Sequence, residues 1–228
     1  VEFTKLNIPA THAEDIDRCM YSPILNLVEA FEYVDNREGS IKTKDAQGNY
    51  IFYDEPEDAF ANKDARLYGS IIYPGAPFRG MAVPLQAGRK SLENSVWVSE
   101  VAKGGTTDAQ GNVITSINGP TTTNDQFINK SGFFFRKFMD ESDNINYVDI
   151  ESTSYWIEMR YAEIVLILSE AYARLDKFKE AYDYLNKIRT RVGLPILAQQ
   201  STWDNYLKDL SKERVCELGL EGHRWYDL

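Results

Sequence analysis

Glu213, Glu217 and Glu221 recur every fourth residue near the end of the chain, beside Arg214 and ahead of His223, Arg224 and Asp227. On a continuing helix that spacing lines the three carboxylates up in one stripe. A carboxylate stripe can bind a metal ion or supply paired acid and base groups. Here Arg214 and Arg224 stand close enough in sequence to pair with it, and a guanidinium fork suits bidentate bridges to carboxylates. Arg160 and Glu163, inside an otherwise apolar run, likewise call for charged partners. We therefore read all of these as structural ion pairs and not as a catalytic set.

Other chemistry has little support. His12 and His223 are the only histidines, and no His-Glu-x-x-His string or similar ligand spacing accompanies them. A glycosidase needs two carboxylates roughly 5 to 10 Å apart across a cleft. Asp54, Glu55, Glu57 and Asp58, or Asp140, Glu141 and Asp143, are nominal sources, but short acidic runs are usually solvated faces or helix starts. The pair Gly104-Gly105 and the run Gly75 to Gly80 lack the Lys-Ser/Thr of a phosphate loop. Cys19 and Cys216 show no metal-ligand spacing and read as two buried or weakly reactive thiols. No cofactor and no metal are called for.

The 228 residues, 43% hydrophobic and 26% charged, suffice for a sizeable core. A net charge of −10 disfavours nucleic acid and anionic membrane surfaces as partners. The richest apolar run, Ile164 to Leu168, falls far short of the roughly 20 residues that span a bilayer. The first residues, Val1 to Lys5, have neither the basic nor the apolar region of a signal peptide, so any targeting signal is expected to have been removed or to lie upstream.

Elements able to position these groups follow from periodicity. Thr11-His12-Ala13-Glu14 has the form of a capping box, placing a helix start near Ala13, with a second apolar run after Pro23 that ends before Gly39. The string Asp-Ala-Gln-Gly-Asn occurs twice, at 45–49 and 108–112, and marks two hairpin tips. From Ala65 to Asn146 helical periodicity is absent and short apolar pieces alternate with turn residues, the kind of stretch that often carries function. Periodicity resumes at Tyr155 and continues to about Leu175. Leu168, Ser169, Tyr172, Asp176, Phe178, Ala181, Leu185 and Ile188 then fit tetratricopeptide spacing, so one such hairpin is expected from about Ala162 to Pro195. One unit cannot bury both of its faces and implies further helical neighbours. Thr202 is expected to cap a last helix that ends at Gly219 or Gly222.

Arg160-Tyr161-Ala162-Glu163, Glu170-Ala171, Leu185-Asn186, Ile188-Arg189, Arg191, Gly193-Leu194-Pro195, Glu213-Arg214, Glu217-Leu218, Glu221-Gly222, Arg224 and Asp227-Leu228 resemble the C-terminal signature of the SusD/RagB family. Lys63 to Leu67 is similar to the family's Asp-Pro-Arg-Leu, and Gly132 to Phe138 to its aromatic strand. Ala65 replaces the usual Pro, and Cys19 follows Ile16-Asp17-Arg18, which is no lipobox.

The resemblance implies the C-terminal part of a surface-exposed outer-membrane lipoprotein of Bacteroidetes-type bacteria. Such a protein binds glycan and delivers nutrient to a TonB-dependent SusC-like transporter, without catalysis, and meets the membrane only through a lipid anchor absent from this chain. The fold expected is mainly α, with tetratricopeptide-like helix pairs of the α/α superhelix type packed against a loop-rich region with short β-hairpins. Residues 1–228 are expected to form a single domain, with helices at 13–39, the loop-rich region at 40–150, the repeat unit at 155–195 and the closing helix and signature at 202–228. The alternatives are a tetratricopeptide-type scaffold for a protein or peptide and, less favoured, an acidic glycoside hydrolase. Sugar recognition needs ring faces and polar side chains on loops. Tyr73, Phe78, Arg79, Trp97, Asn124 and Asp125, all in the irregular stretch, are the candidates, although Trp97 between Val96 and Val98 also fits a buried strand.

Overall fold

The computed structural model describes residues 2–12, 19–120, 129–142 and 154–228. It divides into two compact units, one formed by Val1–Leu25, Lys42–Ala61 and Ile71–Tyr155, the other by Asn26–Ile41, Asn62–Ser70 and Trp156–Leu228. The capping-box helix at Ala13 lies outside the described residues.

The first unit is built from short antiparallel pairs. After the helix α1 (Glu2–Asn7), β1 (Ile71–Ile72) pairs with β8 (Phe134–Phe135), β2 (Pro77–Phe78) with β3 (Met81–Ala82), β4 (Arg89–Glu93) with β5 (Val96–Glu100), and β6 (Thr106–Thr107) with β7 (Val113–Thr115). Two of the tight turns have positive φ at both central residues, Arg79 and Gly80 in one, Asn94 and Ser95 in the other. That backbone matches the twist of the flanking strands in two-residue hairpins. Ile8, Ile72, Phe78, Val83, Leu85 and Phe134 form its core.

Both Asp-Ala-Gln-Gly-Asn strings are turns of the same design. The carboxylate of Asp45 accepts from the amides of Gln47 and Asn49, and that of Asp108 from those of Gln110 and Asn112. Gly48 and Gly111, at φ 86° and 87°, supply the left-handed step.

The second unit is helical. It holds α2 (Leu25–Ala30), α3 (Ala65–Ser70), the antiparallel pair α4 (Tyr161–Arg174) and α5 (Phe178–Arg191), then α6 (Trp203–Leu218) and the single turn α7 (Arg224–Asp227). At the crossing of α4 and α5 the small residues Ser169 and Ala181 are fully buried. The Ser169 hydroxyl donates 2.7 Å to the Ala181 carbonyl and accepts from the Tyr206 hydroxyl at 2.7 Å. Val165, Leu166, Leu185, Ile188, Tyr206 and Leu210 fill the space around them.

Both helices of the pair end in a left-handed cap. The amide of Lys177 reaches the Tyr172 carbonyl and that of Asp176, at φ 58°, reaches Ala173. Leu194 and Gly193, the latter at φ 77°, repeat the pattern onto Arg189 and Thr190. Gly193-Leu194-Pro195 is thus a helix stop.

Several boundaries differ from the sequence reading. α4 begins at Tyr161 and not at Tyr155, because Arg160 is extended and its side chain is engaged by Glu217 and Glu221. α3 interrupts the stretch read as non-helical, with Asp64 accepting the Arg66 amide at its start. α2 stops at Ala30 because the carbonyls beyond it are recruited elsewhere. Phe31 and Gly39 both offer theirs to the Lys63 ammonium, at 2.8 and 2.5 Å. Thr202 precedes α6 without a side-chain cap. Among the described residues no helix is long and apolar enough to cross a membrane.

Candidate functional site

The glutamate stripe is an ion-pair clasp within the helical unit. Glu213 meets Arg66 at 3.0 Å and also Arg189, which in turn holds Glu32. Glu217 meets Arg160 at 2.6 Å, Arg191 at 2.7 Å and Arg66 at 3.3 Å, and Glu221 meets Arg160 at 2.8 Å. Burial opposes charge on Glu217, but Arg160, Arg191 and Arg66 outweigh it and hold its pKa below the usual carboxylate value. These carboxylates are buried and fully engaged, which suits a structural bridge and not proton transfer with a ligand.

Two pairings differ from the sequence reading. Arg214 bridges Asp227 at 2.8 Å, and Arg224 is exposed with no carboxylate partner among the described residues. Arg214 follows Glu213 by one residue, about 100° around the helix, so it cannot share the stripe. Glu163 Oε2 lies 3.7 Å from His223 Nε2, beyond hydrogen-bond distance. Beside the clasp, Cys216 donates its thiol to the Ala30 carbonyl, and burial pushes its pKa well up. Both cysteines are buried thiols outside any disulfide.

Other candidate acids are local. Asp54, Glu55, Glu57 and Asp58 are exposed, and Asp58 accepts from the Glu55 amide at 3.1 Å. Glu141 pairs with Arg136 at 2.6 Å, and Asp143 lies outside the described residues. Among the described residues no group of three His, Cys, Asp or Glu side chains could hold a metal ion.

The sugar-binding candidates separate. Phe78, 1% exposed, is a core residue: β2 is two residues long and turns Pro77 outward and Phe78 inward. Its ring offers no face to a ligand. Tyr73 is half-buried with its ring 4.7 Å from that of Phe60. Arg79 sits in the hairpin turn and donates 2.8 Å to the Asp140 carbonyl. His12 packs edge-on against Phe78, and burial, with Arg79 nearby, lowers its pKa. Asn124 and Asp125 lie outside the described residues.

Trp97 is the exception, a strand residue that is 38% exposed. In the β4–β5 ladder it stands opposite Leu92, and Ser99 opposite Lys90. Directly opposed and alternate residues share a face, so Lys90, Leu92, Trp97 and Ser99 lie on one side of the hairpin. Tyr50 and Phe52 close on the indole with centroids at 5.6 and 5.1 Å, the first edge-on and the second tilted. Phe52 is 64% exposed and Leu92 59%. Lys44, which bridges to Tyr50 across the Asp45–Asn49 turn, and Lys90 each hold an ammonium 5.0 Å from the Tyr50 centroid. The result is an open aromatic platform with cations at its edge.

Sequence reasoning found Trp97 and missed Tyr50, Phe52, Lys44 and Lys90. The available signal was Tyr50-Ile51-Phe52 directly after a tight turn, which puts two rings on one side of an extended segment.

A helical-repeat unit closed by a buried arginine–glutamate clasp, with a separate unit of short hairpins, defines a helix-rich fold of the tetratricopeptide-like type. The chain belongs to the SusD family, whose family model matches residues 17–228. SusD-like protein P2 of Formosa agariphila is 35% identical over 86 residues, which are 34% of this chain and 17% of that protein. A crystal structure of a SusD-like protein from Bacteroides fragilis superposes with a TM-score of 0.59 at 25% identity, covering 90% of this chain and 35% of the other. A SusD-like carbohydrate binding protein from the same species matches in fold, with a TM-score of 0.57 at 22% identity over 90% of this chain and 34% of that one. The chain therefore spans about a third of the length of these solved relatives.

Proposed function

We propose that this chain is part of a non-catalytic glycan-binding protein of the outer membrane, exposed at the cell surface, which passes oligo- or polysaccharide to a TonB-dependent SusC-like transporter. The observation that carries the reading is the Trp97 platform. A sugar ring presents an apolar C–H face and a rim of hydroxyls, and an exposed indole beside Phe52 complements the former, while Ser99 and the lysines complement the latter. Family membership and a carbohydrate-binding structural neighbour support it.

The test is calorimetric titration of the purified protein with a panel of oligosaccharides, alongside Trp97→Ala. Binding that is lost in the variant is the expected result; heats indistinguishable between the two proteins, or absent throughout, would count against it. Co-purification of a TonB-dependent transporter on affinity-tagged protein tests the delivery step.

One observation favours a second reading, a tetratricopeptide-type scaffold. Ile164, Ile167 and Leu168 remain exposed along the outer side of α4, and Leu175 at its end, an apolar stripe suited to another helix or a peptide. A partner captured through that stripe, with no sugar bound, would favour it.

A further inference from the structure

We infer that the Trp97 platform selects anionic glycans, those bearing sulfate or carboxylate groups. This rests on the glycan-binding reading above and goes on to name the substrate class.

The two faces of the β4–β5 hairpin differ in charge. On one, Arg89 is neutralised by Glu100 at 2.7 Å and Asp108 at 2.6 Å, and Ser91 donates to Glu93. On the platform face, Lys44 and Lys90 form no ion pair among the described residues. Asp45, the carboxylate nearest Lys44 in sequence, is occupied by the amides of Gln47 and Asn49 and the side chain of Asn49. Both ammoniums stand 5.0 Å from one ring centroid, which limits their separation to about 10 Å. They are also held in place, Lys90 by Tyr50 and a 2.7 Å bond to Ser99 Oγ, Lys44 by Tyr50. Each ammonium retains donors for a ligand oxygen.

The chain's net charge of −10 opposes an anion at long range. Yet at physiological salt the field decays over about 8 Å, so the two cations at the platform edge dominate what a docked ligand feels. A neutral sugar would use the rings and the ammonium donors but leave both charges unmatched. An acidic one uses both, with the rings aligning it and the ammoniums meeting its anionic substituents.

The experiment titrates the purified protein with a neutral, a uronate-containing and a sulfated oligosaccharide of equal length, at low salt and at about 0.5 M NaCl, where screening is severe. Wild type is expected to bind at least one acidic ligand about tenfold more tightly than the neutral one, with the advantage removed by salt. Lys44→Met with Lys90→Met should remove the same advantage, weakening acidic binding by about tenfold more than neutral binding and leaving thermal stability unchanged, while Lys44→Arg with Lys90→Arg should keep it. The stronger of the two acidic arms tells sulfate from carboxylate. Equal affinity for neutral and acidic ligands, both lost in Trp97→Ala, overturns the charge inference and leaves the platform standing. No binding in any arm overturns both.

Discussion

The helical clasp and the hairpin platform treat polar and apolar groups in opposite ways. In the clasp Glu213, Glu217, Arg189 and Glu32 are buried, and their charges are matched at close range. On the platform Phe52, Leu92 and Trp97 face solvent, and two lysines form no ion pair among the described residues. A buried charge network leaves nothing over for a ligand, and removing one member strands another. An exposed ring carries little of the fold and is free to bind. The regions richest in charge and richest in binding potential are therefore different regions.

Variants that separate stability from binding would break or sharpen that contrast. The largest effect is expected for Glu213→Gln, which leaves Arg66 and Arg189 without a shared counter-ion and should cost about 3–5 kcal/mol in denaturant unfolding. A cost below about 1 kcal/mol would make the clasp a surface-like pair network. Gly39→Ala comes next. A Cβ there would lie 1.8 Å from the Glu29 carbonyl oxygen, so the loop that cradles Lys63 must shift, at about 1–3 kcal/mol.

Lys63 gives a pH signature of the same region. Burial lowers its pKa from 10.5 to about 8 although it is tied to two carbonyls. Below pH 8 native and unfolded chains both carry the proton; between about 8 and 10.5 only the unfolded chain does, so this group makes stability rise with pH there. The stability difference between wild type and Lys63→Met should move in favour of wild type by up to about 3 kcal/mol across that window, read by urea melts at several pH values. A difference that stays flat with pH would show that Lys63 titrates normally. Glu217 works in the opposite direction in acid. Its folded pKa lies below 4.5, so its contribution, complete above that value, is lost as pH falls through the folded pKa. A smaller effect, about 1 kcal/mol, is expected for Gly193→Ala at the left-handed cap of α5, and thermal melts would detect it.

Much of the helical unit was legible in the sequence because its determinants are local. Ser169 and Ala181, the Asp176 and Gly193 stops, and the four-residue spacing of Glu213, Glu217 and Glu221 each act within a turn or two. The partners of that stripe were not legible, since Arg66, Arg160, Arg189 and Arg191 come from distant segments, and nearness in sequence pointed instead to Arg214 and Arg224. The platform was harder still. Trp97 marked itself by type, but Tyr50 and Phe52 join it only through chain folding that brings residues more than forty positions apart together. Phe78 carried the same local signature as an exposed ring, and a two-residue strand has too little alternation to reveal that it points inward.

Trp97→Ala tests the contrast most directly, by thermal melting and calorimetric titration with oligosaccharides on the same preparation. The melting temperature should stay within a degree or two, because a half-exposed hairpin residue carries less than about 1 kcal/mol, while oligosaccharide affinity should fall by tenfold or more. A variant that melts markedly earlier yet binds sugar as wild type does would make the platform part of the scaffold and place recognition elsewhere in the protein.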